Sequence, residues 1–289
     1  MLRDRCRIIV QTQWDGTPAD ALIALHARRS AESVARFHED APGRSIAVML
    51  TGTDLYRDLP ECGEAARSLD LADRIVVLQD DAPRLLNARW RAKTEVIFQS
   101  ARALATQAKP KDRLDCVAIG HLRPEKDPQT LFLAVARLPA SLPIIVRHIG
   151  APLDPALAKA ARDLARRDSR YRYWGEMPHG LARAALKAAH LLVHPSAMEG
   201  GANVVVEAVT AGTPVVASHV SGNIGMLGSD YAGYFEAGDA AGLAQRLVRA
   251  FEDRSYLRSL ARQCALRRAL FSPGAEARAV RRLVDALVA

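Results

Sequence analysis

The 289-residue sequence lacks the features that mark several large protein classes. It has no apolar run near the roughly 20 residues that a membrane-spanning helix needs, and its first residues lack the apolar core of a secretory signal peptide. Its four cysteines are scattered, with no C-x-x-C pair, which argues against a zinc site and a disulfide framework. We therefore expect neither a membrane-spanning nor a secreted disulfide-rich protein, and we predict a cytoplasmic location.

Aromatic residues are scarce as well, at 5% of the chain. No RNA-recognition or zinc-finger pattern accompanies the net charge of +8, most of which lies in the arginine-rich C-terminal region. A basic surface attracts nucleic acid, anionic lipid or a phosphorylated substrate, but solvated helix faces carry such charge too. We expect no nucleic-acid partner and no membrane partner.

The sequence also lacks a D-x-D triplet, in which carboxylates bridge a metal ion to a diphosphate. One spacing suggests a metal pair, His190 and His194, but it falls on a predicted strand. There the two imidazoles do not converge as they do on one face of a helix. We therefore predict chemistry that needs no metal and no other cofactor.

What the chain does have is a regular alternation of short apolar runs and amphipathic segments. Such runs are typical of parallel strands covered on both faces. In the N-terminal part the predicted strands are 7–10, Ala21–Leu25, 46–50, 75–78 and 96–98, and the predicted helices are 30–39 and 80–91.

The alternation resumes after a hydrophilic stretch at 109–113. The predicted strands there are 115–119, 144–146, 171–174, 191–193 and 214–217. The predicted helices are 128–138, Pro155–Arg167, 181–189, Asn203–Ala211 and three more near the C-terminus. We predict the α/β class, with two doubly wound, Rossmann-like domains at 1–110 and 111–289.

The most informative segment, residues 194–218, places Gly200 and Gly201 between a buried strand and a helix that Asn203 could cap. Glycine permits close backbone approach, and a helix N-terminus offers N–H groups with partial positive charge. Glu199 and Glu207 bracket this cradle, and Glu207 is placed to accept hydrogen bonds from a vicinal diol such as ribose. The alternative is a helix-capping loop with two solvated acids.

This segment resembles the donor-binding motif of GT-B glycosyltransferases of the family 4 type, in which an E-x7-E pair encloses a glycine loop. The resemblance implies two such domains in a GT-B arrangement, with the C-terminal helices packing back toward the first domain. It also implies that Glu199 contacts the donor sugar and Glu207 the ribose of a UDP-sugar. The diphosphate would be held by the backbone of Gly200, Gly201, Ala202 and Asn203.

A second segment, residues 119–128, follows a strand and precedes a helix, where groups reach into a ligand cleft. It resembles the family's G-R-L-x-x-E-K segment, whose arginine and lysine neutralise the leaving diphosphate. Lys126 matches the lysine, but His121 stands at the arginine position, with Arg123 two residues on. Either Arg123 has taken over the arginine's role or the neutral imidazole does different work. Surface charges in a turn are the alternative for both cations.

Further candidates follow two predicted strands of the N-terminal half. His26 comes after Ala21–Leu25 and matches a histidine that family members place near the donor, although a histidine at a strand end is as often structural. Thr53 and Asp54 follow the next strand. Arg28 and Arg29 suit a phosphorylated acceptor, the alternative being a solvated helix start.

Five segments together are similar to the selenosugar synthases of selenoneine biosynthesis: 51–59, 121–128, 199–203, 221–225 and 230–235. Those enzymes join selenophosphate to a UDP-sugar, UDP-N-acetylglucosamine in particular, and form a carbon–selenium bond. The similarity covers nearly the whole chain. Chains of this kind begin with a strand, a loop and a helix that have no counterpart before residues 7–11. We therefore expect the first domain to lack its first βα unit.

The sequence thus predicts a glycosyltransferase that forms a selenosugar from UDP-N-acetylglucosamine and selenophosphate. The predicted catalytic residues are Arg123, Lys126, Glu199 and His26. The other donor-binding residues are His121, Gly200, Gly201, Ala202, Asn203 and Glu207. The acceptor-binding residues are Arg28, Arg29, Thr53 and Asp54. Two alternatives stay open: a family 4 transferase with a sugar, lipid or thiol acceptor, and a nucleotide-sugar-binding protein without turnover.

Overall fold

The computed structural model describes residues 1–2, 4–105 and 107–289. It divides the chain into two compact units. The first comprises Met1–Ser100, Glu199–Gly201 and Pro273–Ala289, and the second comprises Ala101–Met198 and Ala202–Ser272. The main division therefore falls at Ser100, earlier than the predicted residue 110, and the last helix belongs to the first unit.

The strands alternate with helices as the apolar pattern predicts. The strands are β1 Ala21–Leu25, β2 Ser45–Met49, β3 Arg74–Val77, β4 Thr94–Val96, β5 Leu114–Ile119, β6 Ile144–Ile149, β7 Tyr171–Gly175, β8 Leu191–His194, β9 Val215–Ser218 and β10 Tyr234–Phe235. The helices are α1 Ala31–Asp40, α2 Leu59–Glu61, α3 Gly63–Leu71, α4 Ala88–Arg91, α5 Pro128–Arg137, α6 Pro155–Arg167, α7 His179–Ala188, α8 Asn203–Ala211, α9 Ser221–Leu227, α10 Ala240–Glu252, α11 Arg254–Arg267 and α12 Pro273–Val288.

The first unit is built on a four-stranded sheet in the order β1-β2-β3-β4, with every pair parallel. One face packs against α1 and α3, where Phe37 and Leu69 are fully buried and Trp14 meets Phe37 edge to face. A second apolar cluster of this unit contains Leu283 and Leu287 of α12 together with Ala47 of β2 and Val76 of β3. The sheet is thus covered by helices, as a parallel sheet requires.

The second unit is built on a six-stranded parallel sheet in the order β10-β9-β8-β5-β6-β7. The chain runs outward from β5 in one direction and from β8 in the other, so the strand order reverses between these two neighbours. Ligands of open α/β sheets bind at such a switch point, outside the carboxyl ends of the strands. The loops after β5 and β8 carry most of the predicted donor-binding residues.

The fold class is confirmed, with two Rossmann-like α/β units, but two of the predicted elements are wrong. Residues 7–10 form no strand, and Val10 is 89% exposed. Their apolar, β-branched side chains favour an extended chain, but a strand needs a paired backbone, and in the described part of the sheet the register starts at Ala21.

The second wrong element is the helix predicted at 80–91, because the structure has two short helical segments there instead of one helix. A 3₁₀ turn covers Ala82–Leu85, and α4 begins afresh after Asn87, whose side chain accepts the backbone N–H of Trp90 at 2.9 Å. Asn87 is thus the N-cap of α4, and the helical segment before it is separate. Among the described helices, none is both long and apolar enough to cross a membrane.

Candidate functional site

A small cavity of about 10 Å³ lies at the carboxyl ends of β5 and β8, at the switch point of the second unit. Lys126, Gly120 and Ser196 are among the residues that line it. The Ser196 side chain is buried, and its Oγ has no hydrogen-bond partner within the described structure. The structure therefore brings the predicted lysine to the place where the topology of the sheet expects a ligand.

The loop after β5 is fixed by backbone pairing to the segment after β6. Leu122 is fully buried, and it donates its N–H to the carbonyl of Ala151 and accepts from the N–H of Asp154, both at 2.9 Å. The two residues that flank it, His121 and Arg123, are exposed. Anchoring Leu122 thus presents both side chains on the surface of the second unit, whereas Lys126 is half-buried.

His121 has a defined ring orientation, because its Nδ1 accepts the N–H of Ala151 at 3.0 Å. A neutral imidazole that accepts at one nitrogen carries its proton on the other. Nε2 can therefore donate one hydrogen bond to an anion without a permanent charge. This is the second of the two roles that the sequence left open for His121.

A residue that the sequence reading missed, His148, supports this loop from below. It is buried, and its Nε2 donates to the carbonyl of Gly120 at 3.1 Å while Nδ1 contacts the Tyr171 hydroxyl at 2.8 Å. Burial lowers the pKa of His148 to about 4. His148 thus stays neutral at neutral pH and acts as a hydrogen-bonded prop. The available signal in the sequence was its place on β6, one residue before the end of the strand.

The helix after the glycine pair begins one residue earlier than a cap at Asn203 would place it. The N-cap is Ala202, which has no side-chain hydrogen bond, and Asn203 is the first helical residue. The prediction that Asn203 caps α8 is therefore wrong. Because a methyl group cannot accept a hydrogen bond, the first N–H groups of α8 lack a side-chain cap, as an anion-binding terminus requires.

Glu207 is buried at 8% exposure in the middle of α8. His179 contacts it from α7, with Nε2 2.5 Å from Oε1, and Arg183 places Nε 3.9 Å from the same oxygen. Arg183 is itself held by donating to the carbonyl of Arg102 at 2.6 Å. The Glu207 carboxylate is thus oriented by contacts from two residues of α7. The sequence missed His179 and Arg183, since nothing in it links α7 to α8.

The first three residues of the E-x7-E segment, Glu199–Gly201, belong to the first unit in this structure. Glu199 is buried there, and Gly200 lies so close to Gly52 that a Cβ on Gly200 would be 2.1 Å from the Gly52 backbone nitrogen. A Cβ on Gly201 would be 2.6 Å from the Cβ of Leu78. Both glycines are therefore required by close packing within this unit.

His26 and its neighbours form a buried hydrogen-bonded cluster in the first unit. Nδ1 of His26 lies 2.6 Å from Oδ1 of Asp54, and Nε2 lies 2.9 Å from Oγ1 of Thr53. Asp54 is fully buried, whereas Thr53 is half-buried. The structure therefore brings together three of the predicted residues, but it seals Asp54 away from any direct contact with an acceptor.

The cluster also contains Asp58, which the sequence reading missed. Its Oδ2 lies 3.7 Å from Nε2 of His26 and 3.2 Å from Nε of Arg28, a predicted acceptor residue. Arg28 and Arg29 are both exposed on the turn that follows β1. The paired arginines thus provide positive charge beside the cluster, and Arg28 is oriented by Asp58.

His26, Asp54 and Asp58 each offer a ligand atom within 4.8 Å of the others, close enough to hold a metal ion. Asp54, however, already accepts four hydrogen bonds: from His26, from the N–H of Ala27, and from the N–H and hydroxyl of Thr51. A carboxylate offers about four lone-pair positions. The donor set therefore fits a hydrogen-bonded cluster better than a metal site.

His190 immediately precedes β8 and His194 is its last residue, so the pair flanks a strand as the sequence predicted. His190 has both ring nitrogens engaged, since Nδ1 accepts the N–H of Asp115 at 3.0 Å and Nε2 contacts the carbonyl of Pro110 at 2.8 Å. Burial lowers the pKa of His190. It is therefore a structural histidine of the second unit.

Comparison with known proteins gives a consistent result. The model of the family described as "Glycosyl transferases group 1" matches residues 100–266. Two relatives, both named D-inositol 3-phosphate glycosyltransferase, come from Streptomyces scabiei and Streptomyces griseus subsp. griseus. They are 31% and 32% identical to this chain over 230 residues, 75% of this chain and 42% of each relative. The chain thus spans less than half the length of these curated relatives.

Solved structures show the same fold. Sucrose-phosphate synthase from Thermosynechococcus elongatus has a TM-score of 0.75 at 22% identity and covers 93% of this chain and 73% of its own. Anabaena Alr3699/HepE in complex with UDP has a TM-score of 0.76 at 16% identity, over 92% of this chain and 79% of its own. The pneumococcal O-GlcNAc transferase GtfA, in complex with UDP and GlcNAc, has a TM-score of 0.73 at 15% identity, over 92% and 57%.

Proposed function

The chain belongs to the glycosyl transferases group 1 family, and from this we propose that it transfers a sugar from a UDP-sugar donor. The observation that carries the proposal is the switch point of the second unit, where Lys126 lines a cavity between β5 and β8. The buried Glu207 lies in the helix that follows β8. A fixed cation and an uncapped helix terminus suit a diphosphate, and a buried carboxyl group that accepts hydrogen bonds suits a ribose diol.

In this proposal each part of the UDP-sugar is bound by particular residues. Glu207 accepts the ribose hydroxyls, the backbone N–H groups of Ala202 and Asn203 hold the diphosphate, and Lys126 and Arg123 neutralise it as it leaves. His121 adds a neutral hydrogen-bond donor through Nε2. Glu199, with the backbone of Gly200 and Gly201 beside it, contacts the donor sugar.

For the acceptor we propose selenophosphate, with UDP-N-acetylglucosamine as donor, so that a carbon–selenium bond forms and UDP leaves. The five segments similar to selenosugar synthases support this assignment. Arg28 and Arg29, exposed next to the His26 cluster, suit an acceptor that carries a phosphoryl group. The scattered, free cysteines fit a reducing cytoplasm as the place of action.

A second candidate is an ordinary family 4 reaction with a phosphorylated sugar or polyol. The names of the Streptomyces relatives specify D-inositol 3-phosphate, and the paired arginines serve either anion. A third, a nucleotide-sugar-binding protein without turnover, differs from both by binding UDP-sugar without releasing UDP.

The deciding experiment is mass spectrometry of the products from UDP-N-acetylglucosamine and selenophosphate, with parallel reactions that contain thiophosphate or D-inositol 3-phosphate. A selenium-containing sugar, formed with stoichiometric UDP, is the expected result. Product from inositol phosphate alone would favour the second candidate. Binding of the donor in calorimetry with no UDP released from any mixture would favour the third.

Glu207→Gln is expected to weaken UDP binding by about 1–3 kcal/mol, the range for losing hydrogen bonds to a charged group. The substitution keeps the shape of the side chain but removes the charge that His179 and Arg183 face. The measurement is the thermal shift that saturating UDP produces, which follows binding through linkage. Glu252→Gln, at an exposed site of α10, is the matched control. Equal UDP stabilisation of wild type and Glu207→Gln would remove Glu207 from the site.

Turnover is expected to survive an excess of EDTA, because Lys126, Arg123 and the N-terminus of α8 supply the positive charge that a metal would otherwise bring. The saturated lone pairs of Asp54 give the same expectation for the His26 cluster. Initial rates with and without chelator are the measurement. Activity that is lost on chelation and returns with magnesium or manganese would contradict the prediction.

A further inference from the structure

A buried serine, Ser196, lies two residues after the end of β8 and is only 1% exposed. It lines the small cavity at the switch point of the second unit, and its Oγ has no hydrogen-bond partner within the described structure. Buried hydroxyl groups are almost always hydrogen-bonded, because burial removes the bonds they make to water. The Ser196 hydroxyl is therefore available to a molecule that enters the cavity.

Hydrogen bonds on two sides hold the backbone around Ser196 in place. Ser218 Oγ, on β9, donates to the Ser196 carbonyl at 2.5 Å, and Asn223 Nδ2 donates to Ser218 Oγ at 3.0 Å. The next residue, Ala197, donates its N–H to the carbonyl of Glu125 at 3.0 Å. None of these bonds uses Ser196 Oγ, so the network fixes the serine and leaves its hydroxyl for another partner.

The bond from Ala197 to Glu125 also places Lys126 beside Ser196, since it joins a chain neighbour of each. Lys126 ends the 3₁₀ turn after β5 and lines the same cavity as Ser196. Its stem packs along Gly120, where a Cβ would lie 3.6 Å from Lys126 Cγ. A hydroxyl group and an ammonium group thus share one small cavity within the second unit.

The size and the lining of the cavity limit what can enter it. A volume of about 10 Å³ is close to one water-sized sphere, so it admits a single oxygen atom and not a sugar ring. Leu131, Val193 and Pro128 make part of the wall apolar, and polar attraction is stronger where water is excluded. Since a hydroxyl and an ammonium group can both donate hydrogen bonds, an anionic oxygen of a phosphoryl group suits the cavity.

We propose that Ser196 is a further catalytic residue, whose hydroxyl binds one phosphoryl oxygen of the donor diphosphate together with the Lys126 ammonium group. This rests on the proposed glycosyl transfer. As the acceptor atom bonds to the anomeric carbon, the bond from that carbon to the diphosphate oxygen breaks, and its electron pair stays on the diphosphate. Ser196 donates its O–H throughout and gives up no proton. It stabilises the growing negative charge as an oxyanion donor does.

The first test needs no turnover, because a structural serine and a ligand-binding serine differ in what their removal does. Ser196→Ala deletes a hydroxyl that bonds to nothing in the described structure, so Tm without ligand is expected to stay the same or rise. The variant is expected to bind UDP several-fold more weakly, and to bind uridine, which has no diphosphate, as wild type does. The measurements are Tm and calorimetric Kd values for the whole protein.

Ser33→Ala is the matched control, because Ser33 is a buried serine whose Oγ accepts the N–H of Trp14 at 3.1 Å. Its substitution leaves that N–H without the bond, so Tm is expected to fall while UDP affinity stays unchanged. A lower Tm for Ser196→Ala with unchanged UDP affinity would overturn the proposal, since the partner of Ser196 would then be a structural water.

The second test is kinetic and separates the hydroxyl from the volume of the side chain. Ser196→Ala is expected to lower kcat roughly 10- to 150-fold, the effect of losing one hydrogen bond to a charged group. Ser196→Cys is expected to be almost as slow, because a thiol fills the space but is a weak donor. Near-normal kcat in both variants would overturn the role of Ser196 and leave glycosyl transfer intact. If wild type transfers sugar to no acceptor, the proposed function fails, while the UDP and uridine affinities still decide whether Ser196 binds a diphosphate.

Discussion

Lys126→Ala is expected to lower the maximal rate about 100- to 1,000-fold, or about 2.7–4 kcal/mol, the scale for removing one group that stabilises developing charge. The substrate diphosphate is already charged in the ground state, but more charge gathers on it as the bond to the sugar breaks. A fixed cation therefore contributes more to the transition state than to binding. Lys126 is placed for this, because it lines the cavity between β5 and β8.

The measurement is a pair of values, kcat from initial UDP release and Kd for UDP from calorimetry. A large loss in kcat with a small change in Kd is expected. Lys159→Ala is the matched control, since Lys159 is an exposed lysine of the same unit paired with Asp163 at 2.8 Å. A loss confined to Kd would mean that Lys126 only binds the donor.

Variants of Arg123 and His121 test which of these two residues helps Lys126 to stabilise the leaving diphosphate. Arg123→Ala is also expected to slow turnover, and Arg123→Lys to restore only part of it, because the planar guanidinium can meet two phosphate oxygens and the ammonium cannot. If Arg123→Ala keeps near-normal turnover while His121→Ala abolishes it, His121 is the phosphate ligand. The hydrogen bond from Ala151 to His121 Nδ1 leaves Nε2 able to play that part.

The sequence predicted elements well where local signals are strong. Short apolar runs bounded by polar residues predicted β5 and β8. Asp154 before Pro155 marks the start of α6, where the Asp154 side chain accepts two backbone N–H groups. It failed at residues 7–10, where strand propensity is present but a strand partner decides the outcome. Propensity describes one segment, whereas a sheet needs two.

The same limit applies to the candidate site. Glu207 and Lys126 could be named because they lie in recognisable motifs, but His179 and Arg183 reach Glu207 from another helix. The burial of Asp54 likewise depends on the turn at His26, which the sequence does not encode as a motif. Roles that depend on partners far apart in the chain need the fold before they can be assigned.

Gly150→Ala is expected to cause a loss of activity of about 100-fold, the cost of misplacing catalytic groups by roughly 1 Å. A Cβ on Gly150 would lie 1.9 Å from the carbonyl oxygen of Gly120 and 2.9 Å from the Cα of His121. Both are backbone atoms, so the clash is relieved only by moving the start of the loop that carries Arg123 and Lys126. Overpacking of this kind also costs about 1–3 kcal/mol of stability.

Two measurements on one preparation separate the effects: Tm without ligand, and the stabilisation that UDP adds. We expect Gly150→Ala to fall in Tm by about 2–4 °C for each kcal/mol lost and to lose most of its turnover at temperatures where it is still folded. Gly63→Ala is the control, because a Cβ there meets nothing within 4 Å and the residue begins α3 in the other unit. It is expected to keep full activity and wild-type or slightly higher stability. Full activity in a folded Gly150→Ala would show that the segment 120–126 tolerates displacement, which would argue against fixed cations as the source of rate and so against the role given to Lys126.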